Sequence, residues 1–191
     1  MRLTERLTAR HGALLVVDMQ EKLLAVMQDR EPVIENIVRL VLGAREMDMP
    51  VWATEQYPRG LGPTVPSIAA LIPERPTKLI FHCCGVPRLL EQLYGRHIRH
   101  VTVVGIEAHV CVSQTAIELL DLGFRVQVAA DAVTSRNRFD WEFALRRMER
   151  AGAVVSTAEA VLFEWLETAD RPEFKVISAM VKTAKTQGGK S

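Results

Sequence analysis

The chain predicts a parallel α/β sheet covered by helices on both sides, and three observations point there. Short, continuous apolar runs recur along it, as strands buried on both faces require. Amphipathic segments of helical length separate most of these runs, so strand-to-strand connections can be crossover helices. The 191 residues are 48% hydrophobic and contain no internal repeat, which suits one compact domain.

Taken in order, the first apolar run, 13–17, reads as a strand, followed by a short helix over 19–27 and a longer amphipathic one over 32–47. The second strand covers 51–53. The stretch Tyr57-Pro58-Arg59-Gly60-Leu61-Gly62-Pro63 suits neither helix nor central strand and reads as a loop over the sheet. A third strand over 79–81 leads into a helix over 86–94, and a fourth over 101–104 into a helix over 109–122. Gly123 stands where a helix C-terminus favours glycine, and Gly152 does the same after a fifth strand (126–130) and its helix (139–151). The sixth strand, 153–155, precedes a helix over 158–166 for which Thr157 is a fair N-cap. Phe174, Val176, Ile177, Met180 and Val181 share a helical face, suited equally to the core or to a partner. The domain is expected to span 1–182, with 183–191, containing Gly188-Gly189, as a flexible tail.

Composition narrows the function. Lys plus Arg total 24 against 23 for Asp plus Glu, with no basic run and no aromatic-rich basic segment, so a nucleic-acid partner is not expected. The three cysteines form no paired framework and no C-x-x-C knuckle. No histidine pair has zinc spacing, and neither G-x-G-x-x-G nor a P-loop is present, so no metal or nucleotide cofactor is expected. The start, Met1-Arg2-Leu3-Thr4-Glu5-Arg6, lacks the apolar core of a signal peptide. No apolar run is long enough to cross a membrane, so the cytoplasm is the expected compartment.

In a doubly wound sheet, ligands bind at the carboxyl ends of the strands. Asp18 directly follows the first strand; desolvation there favours a general base, whereas capping the next helix is the ordinary structural role. Cys111 follows the fourth strand at the start of a helix, where unpaired N–H groups and a partial positive charge ease thiol ionisation and can receive an oxyanion. Its neighbours Val110 and Val112 also suit a buried, inert cysteine. Lys78 opens the third strand as read here, so the carboxyl-end rule does not by itself bring it to the site. Cys83 and Cys84 could line the same pocket, although packing is the simpler role for both. His109, two residues from Cys111, points to another side of the helical turn and suits capping or exposure. His82 is a possible pocket residue, and His11, His97 and His100 read as loop or surface positions.

Taken together, Val16-Val17-Asp18-Met19-Gln20, Lys78 with Phe81, and the run from Gly105 through Cys111 to Ala116 resemble the isochorismatase-like cysteine hydrolases. The similarity extends over Ala130-Asp131-Ala132-Val133-Thr134-Ser135-Arg136 and Arg147-Met148-Glu149-Arg150-Ala151-Gly152-Ala153. The resemblance implies a Rossmann-like, three-layer α/β/α fold with six parallel strands in the order 3-2-1-4-5-6. It implies a catalytic triad of Asp18, Lys78 and Cys111, and a cis peptide between Ile106 and Glu107. The N–H groups of Glu107 and Cys111 would then form an oxyanion hole, with Gln20, Gln56, Tyr57 and His82 as pocket candidates. The family's nicotinamidases carry a metal motif with an Asp and two His after the second strand. Here the segment Glu55-Gln56-Tyr57-Pro58-Arg59-Gly60 has no histidine, which favours neither metal nor nicotinamide. The implied activity is metal-independent hydrolysis of a small amide or related C–N bond through a thioester, by a homo-oligomer. A catalytically silent binding or scaffold protein of the same fold is the alternative; RNA processing fits the near-neutral charge poorly.

Overall fold

A computed structural model of the chain describes residues 6–182. The expected tail, 183–191, lies outside them. Six strands form one parallel sheet: β1 (Gly12–Val17), β2 (Val51–Gln56), β3 (Thr77–Lys78), β4 (His100–Ile106), β5 (Arg125–Thr134) and β6 (Val154–Ser156), in the order β3-β2-β1-β4-β5-β6. The helices are α1 (Glu21–Leu24), α2 (Arg30–Glu46), α3 (Pro58–Leu61), α4 (Pro66–Ala69), α5 (Pro87–Gly95), α6 (Ser113–Asp121), α7 (Arg138–Ala151), α8 (Ala158–Leu166) and α9 (Phe174–Lys182).

The continuous apolar run of β1 is divided by strand alternation between two cores. Leu14 and Val16 pack with Ile37, Leu40 and Val41 of α2 and with Val161, Leu162 and Trp165 of α8. Ala13, Leu15 and Val17 pack with Leu89 and Leu93 of α5, Leu119 of α6 and Met148 of α7. Ile177 of α9 is buried in the first core, with Phe174, Met180 and Val181 against it, so that face packs on its own domain. Gly123 and Gly152 have positive φ, and the Thr157 side chain accepts from the Ala160 N–H, as a C-terminal glycine and an N-cap should.

Four expectations need correction. The apolar run 79–81 is not a strand. Pairing stops at Glu55 with Thr77 and Gln56 with Lys78, and Leu79, Ile80 and Phe81 turn outward and are exposed. The loop after Tyr57 contains one helical turn, α3, because Pro58 supplies the fixed φ of a first helical position. The helix read over 19–27 contracts to α1. His100 is buried rather than at the surface, with its Nε2 2.6 Å from the Thr8 carbonyl.

Candidate active site

The strand order reverses between β1 and β4, which opens the crevice where such sheets bind ligands. Asp18 leaves β1 there with φ 50°, its side chain fully buried. Val17 pairs with Gly105 of β4. At Gly105, φ is 114° and a Cβ would lie 2.1 Å from the Val17 carbonyl oxygen, so only glycine lets the strands approach this closely. Beyond it the Ile106–Glu107 peptide is cis, and one turn of π-helix, Ala108–Val112, carries Cys111 into α6.

Lys78 reaches the same point from β3. Because β3 ends at Lys78 rather than beginning there, the carboxyl-end rule does apply to it, contrary to the sequence expectation. Its Nζ donates to Asp18 Oδ2 at 2.7 Å, Gln56 Oε1 at 2.7 Å and the Phe81 carbonyl at 2.8 Å. The side chains of this ion pair are 1% and 0% exposed. On the other carboxylate oxygen, Thr54 Oγ1 donates to Asp18 Oδ1 at 2.8 Å. A hydroxyl has one proton, so in the 3.4 Å contact between Thr54 Oγ1 and Cys83 Sγ the thiol is the donor. The Cys83 N–H donates to Thr115 Oγ1 at 2.9 Å, tying this segment to α6.

Cys111 is buried beside the same carboxylate. Burial pushes its thiol pKa far up, the Asp18 charge and its hydrogen bond to the thiol add to that, and Lys78 opposes it. Desolvation and a neighbouring anion therefore act against the ionisation that the helix start favours. The thiol stands beside a carboxylate that is ion-paired to Lys78. Burial, then the Asp18 charge, likewise raise the Cys83 thiol to about 11, and burial raises Cys84 to about 12.

The other expected positions spread around this centre. The Gln20 side chain is engaged with backbone: Oε1 accepts from the Gln56 N–H at 2.7 Å, and Nε2 donates to the carbonyls of Gln56 and Gly62. Gln56 contacts Lys78 directly. Tyr57 is half exposed at the rim. His82 precedes the 3-10 turn Cys83–Gly85, and its buried Nδ1 has no hydrogen-bond partner among the described residues. His109 Nδ1 lies 2.9 Å from Ser135 Oγ, turned from Cys111 as its spacing requires. The Glu107 side chain accepts from Arg136 Nε at 3.0 Å.

Cys83, read chiefly as packing, lies in the site, and Thr54 and Thr115 join it without having been singled out. Only Thr54 left a signal: polar Thr54 and Gln56 fall on alternate positions at the end of a buried strand, so they share one face. Glu55, on the other face, binds the Thr64 backbone and hydroxyl and Arg75. Among the described residues no group of three or more His, Cys, Asp or Glu could hold a metal ion, and no helix is long and apolar enough to cross a membrane. A cleft of about 770 Å³ lies apart from the triad candidates, lined in part by Asn36, Arg39, Asp131, Arg138 and Trp141.

Fold and site together describe a doubly wound parallel α/β protein with a buried carboxylate–ammonium–thiol cluster at its switch point. Residues 12–160 match the model of the isochorismatase domain, and the chain belongs to that family. Isochorismatase domain-containing protein 2 of Bos taurus is 38% identical over 177 residues, covering 92% of this chain and 85% of that protein. The protein of the same name from Xenopus laevis is 36% identical, covering 96% and 90%. The solved structure of the MAR1 ribonuclease from Caenorhabditis elegans superposes with a TM-score of 0.89 at 37% identity, covering 98% of this chain and 99% of that one.

Proposed function

We propose that this isochorismatase-family protein is a metal-independent cysteine hydrolase that cleaves a small amide or related C–N bond. The observation that carries the reading is the buried Asp18 carboxylate, ion-paired to Lys78 at 2.7 Å, with its charge acting on the buried Cys111 thiol. Burial and the Asp18 charge both oppose a free thiolate, so the proton leaves as the sulfur attacks. Asp18 takes that proton while Cys111 Sγ bonds to the carbonyl carbon. The backbone N–H groups of Glu107 and Cys111 receive the oxyanion. The C–N bond then breaks, Asp18 returns the proton to the leaving amine, and a thioester remains. Water, deprotonated by Asp18, attacks it; the C–S bond breaks, the thiol regains its proton, and a carboxylic acid leaves. Lys78 stabilises the developing thiolate and holds Asp18 ionised between its proton transfers. The donors that a metal would need near β2 are engaged elsewhere: Glu55 with Thr64 and Arg75, Gln56 with Lys78 and Leu79.

The test is an amide library screened for released ammonia or amine, alongside the rate of Cys111 alkylation mapped by peptide mass. Turnover that disappears in Cys111→Ala, and that falls in step with alkylation of Cys111 in the native protein, supports the reading. A library without turnover, in the native protein and after alkylation of Cys111 alike, would favour the silent scaffold. The Caenorhabditis elegans relative is named a ribonuclease; this chain, with net charge +1, is expected to leave a labelled RNA intact. RNA cleavage lost in Cys111→Ala would replace the amide reading.

A further inference from the structure

We propose that Gln56 is a positioning residue, which holds the Lys78 ammonium on Asp18 and so sets how readily Asp18 takes the Cys111 proton. The kinetic part of this inference rests on the hydrolase reading above; the structural part does not.

An ammonium has three donors and no acceptor. In Lys78 all three are engaged, by Asp18 Oδ2, Gln56 Oε1 and the Phe81 carbonyl, at 2.7, 2.7 and 2.8 Å. The Lys78 side chain is 1% exposed, so water is poorly placed to replace a missing acceptor. The Gln56 amide has one workable orientation. Its Nε2 donates to the Leu79 carbonyl at 2.8 Å while Oε1 faces Lys78; turned over, it would set an NH₂ against the ammonium and oxygen against oxygen.

The backbone of Gln56 is clamped as well. Gln20 Oε1 accepts from its N–H at 2.7 Å, and Gln20 Nε2 donates to its carbonyl at 3.0 Å. Gln20 lies two residues from Asp18. The contacts therefore close a circuit from Asp18 through Lys78, Gln56 and Gln20 back to Asp18, joining the ends of β1, β2 and β3. Gln56 is also neutral. It supplies an acceptor without a second anion, so the charge of Lys78 is matched to Asp18 alone. A carboxylate here would divide the ammonium between two anions and add negative charge near Cys111.

Two variants test this with two measurements: iodoacetamide alkylation of Cys111 as a function of pH, and the ¹⁵N NMR signal of the slowly exchanging Lys78 ammonium. Gln56→Met removes the acceptor and is expected to slow alkylation at neutral pH by about tenfold and to lose the ammonium signal. Gln56→Glu keeps an acceptor, so the signal should persist while the pH profile of alkylation moves upward. Near-ultraviolet circular dichroism verifies that each variant is folded; should Gln56→Met fail to fold, Gln56→Glu carries the test. Wild-type pH profiles and an unchanged Lys78 signal in the folded variants would reduce Gln56 to a tie between strands and overturn the proposal. If turnover survives Cys111→Ala, the hydrolase reading fails, and the ammonium signal still decides whether Gln56 holds Lys78.

Discussion

A buried ion pair is costly to make and more costly to break, because removing one partner strands the other charge without water. Asp18 and Lys78 are such a pair. Lys78→Met is expected to destabilise the fold by about 3–5 kcal/mol, read by urea unfolding. Cys111→Ala removes a neutral thiol and leaves the pair intact. It should unfold within a few degrees of the native protein while losing turnover by about 10³-fold or more. Cys83 makes stability fall at high pH. Below pH 9 both folded and unfolded chains keep its proton; between 9 and about 11 only the folded chain does, so stability drops through that window and the loss is complete above it. The difference in stability between native protein and Cys83→Ala should shrink by about 2–3 kcal/mol from pH 8.5 to pH 11.5, measured by denaturant titration.

Gly105 determines how closely the ends of β1 and β4 meet. Gly105→Ala would set a Cβ against the Val17 carbonyl at a φ that L residues avoid. Little soluble folded protein is expected, or a loss above about 4 kcal/mol, judged by expression yield and melting. The N-terminus of α7 offers a milder contrast. Asn137 accepts from the Asp140 N–H at 2.9 Å, and Asn137→Ala should cost about 1 kcal/mol in thermal unfolding. Apolar periodicity located β1, β4, β5 and the long helices because their burial follows from local pattern. It failed at β3 for a physical reason: Leu79, Ile80 and Phe81 have strand-like composition, yet β2 offers pairing only as far as Lys78. That two-residue edge strand is set by register, which no local window contains. Shifting the strand end onto Lys78 also moved Lys78 from the wrong end of the sheet to the right one.

Exposed apolar side chains offer contacts for the homo-oligomer that the family resemblance implies. Leu79 is 76% exposed, and Phe139 and Phe143 stack at 4.4 Å on the outer face of α7, at 67% and 50% exposure. Light scattering is expected to give a multiple of the chain mass, reduced by Leu79→Asp or Phe139→Asp. A monomeric native protein would refute it. Within one chain, the sequence by itself determined the fold class, the identity of Asp18, Lys78 and Cys111 as candidates, and the helix stops at Gly123 and Gly152. These are written in local composition and in motifs contiguous along the chain. Tertiary structure alone decided the state of the thiol and the partners of the ion pair. Helix position predicted a more acidic Cys111; burial against Asp18 made it more basic. Thr54 and Cys83 meet Asp18 because the ends of β1 and β2 and the turn after β3 come together there. Desolvation and charge depend on distances in space, and residues 18, 54, 56, 78, 83 and 111 become neighbours only once the sheet has formed.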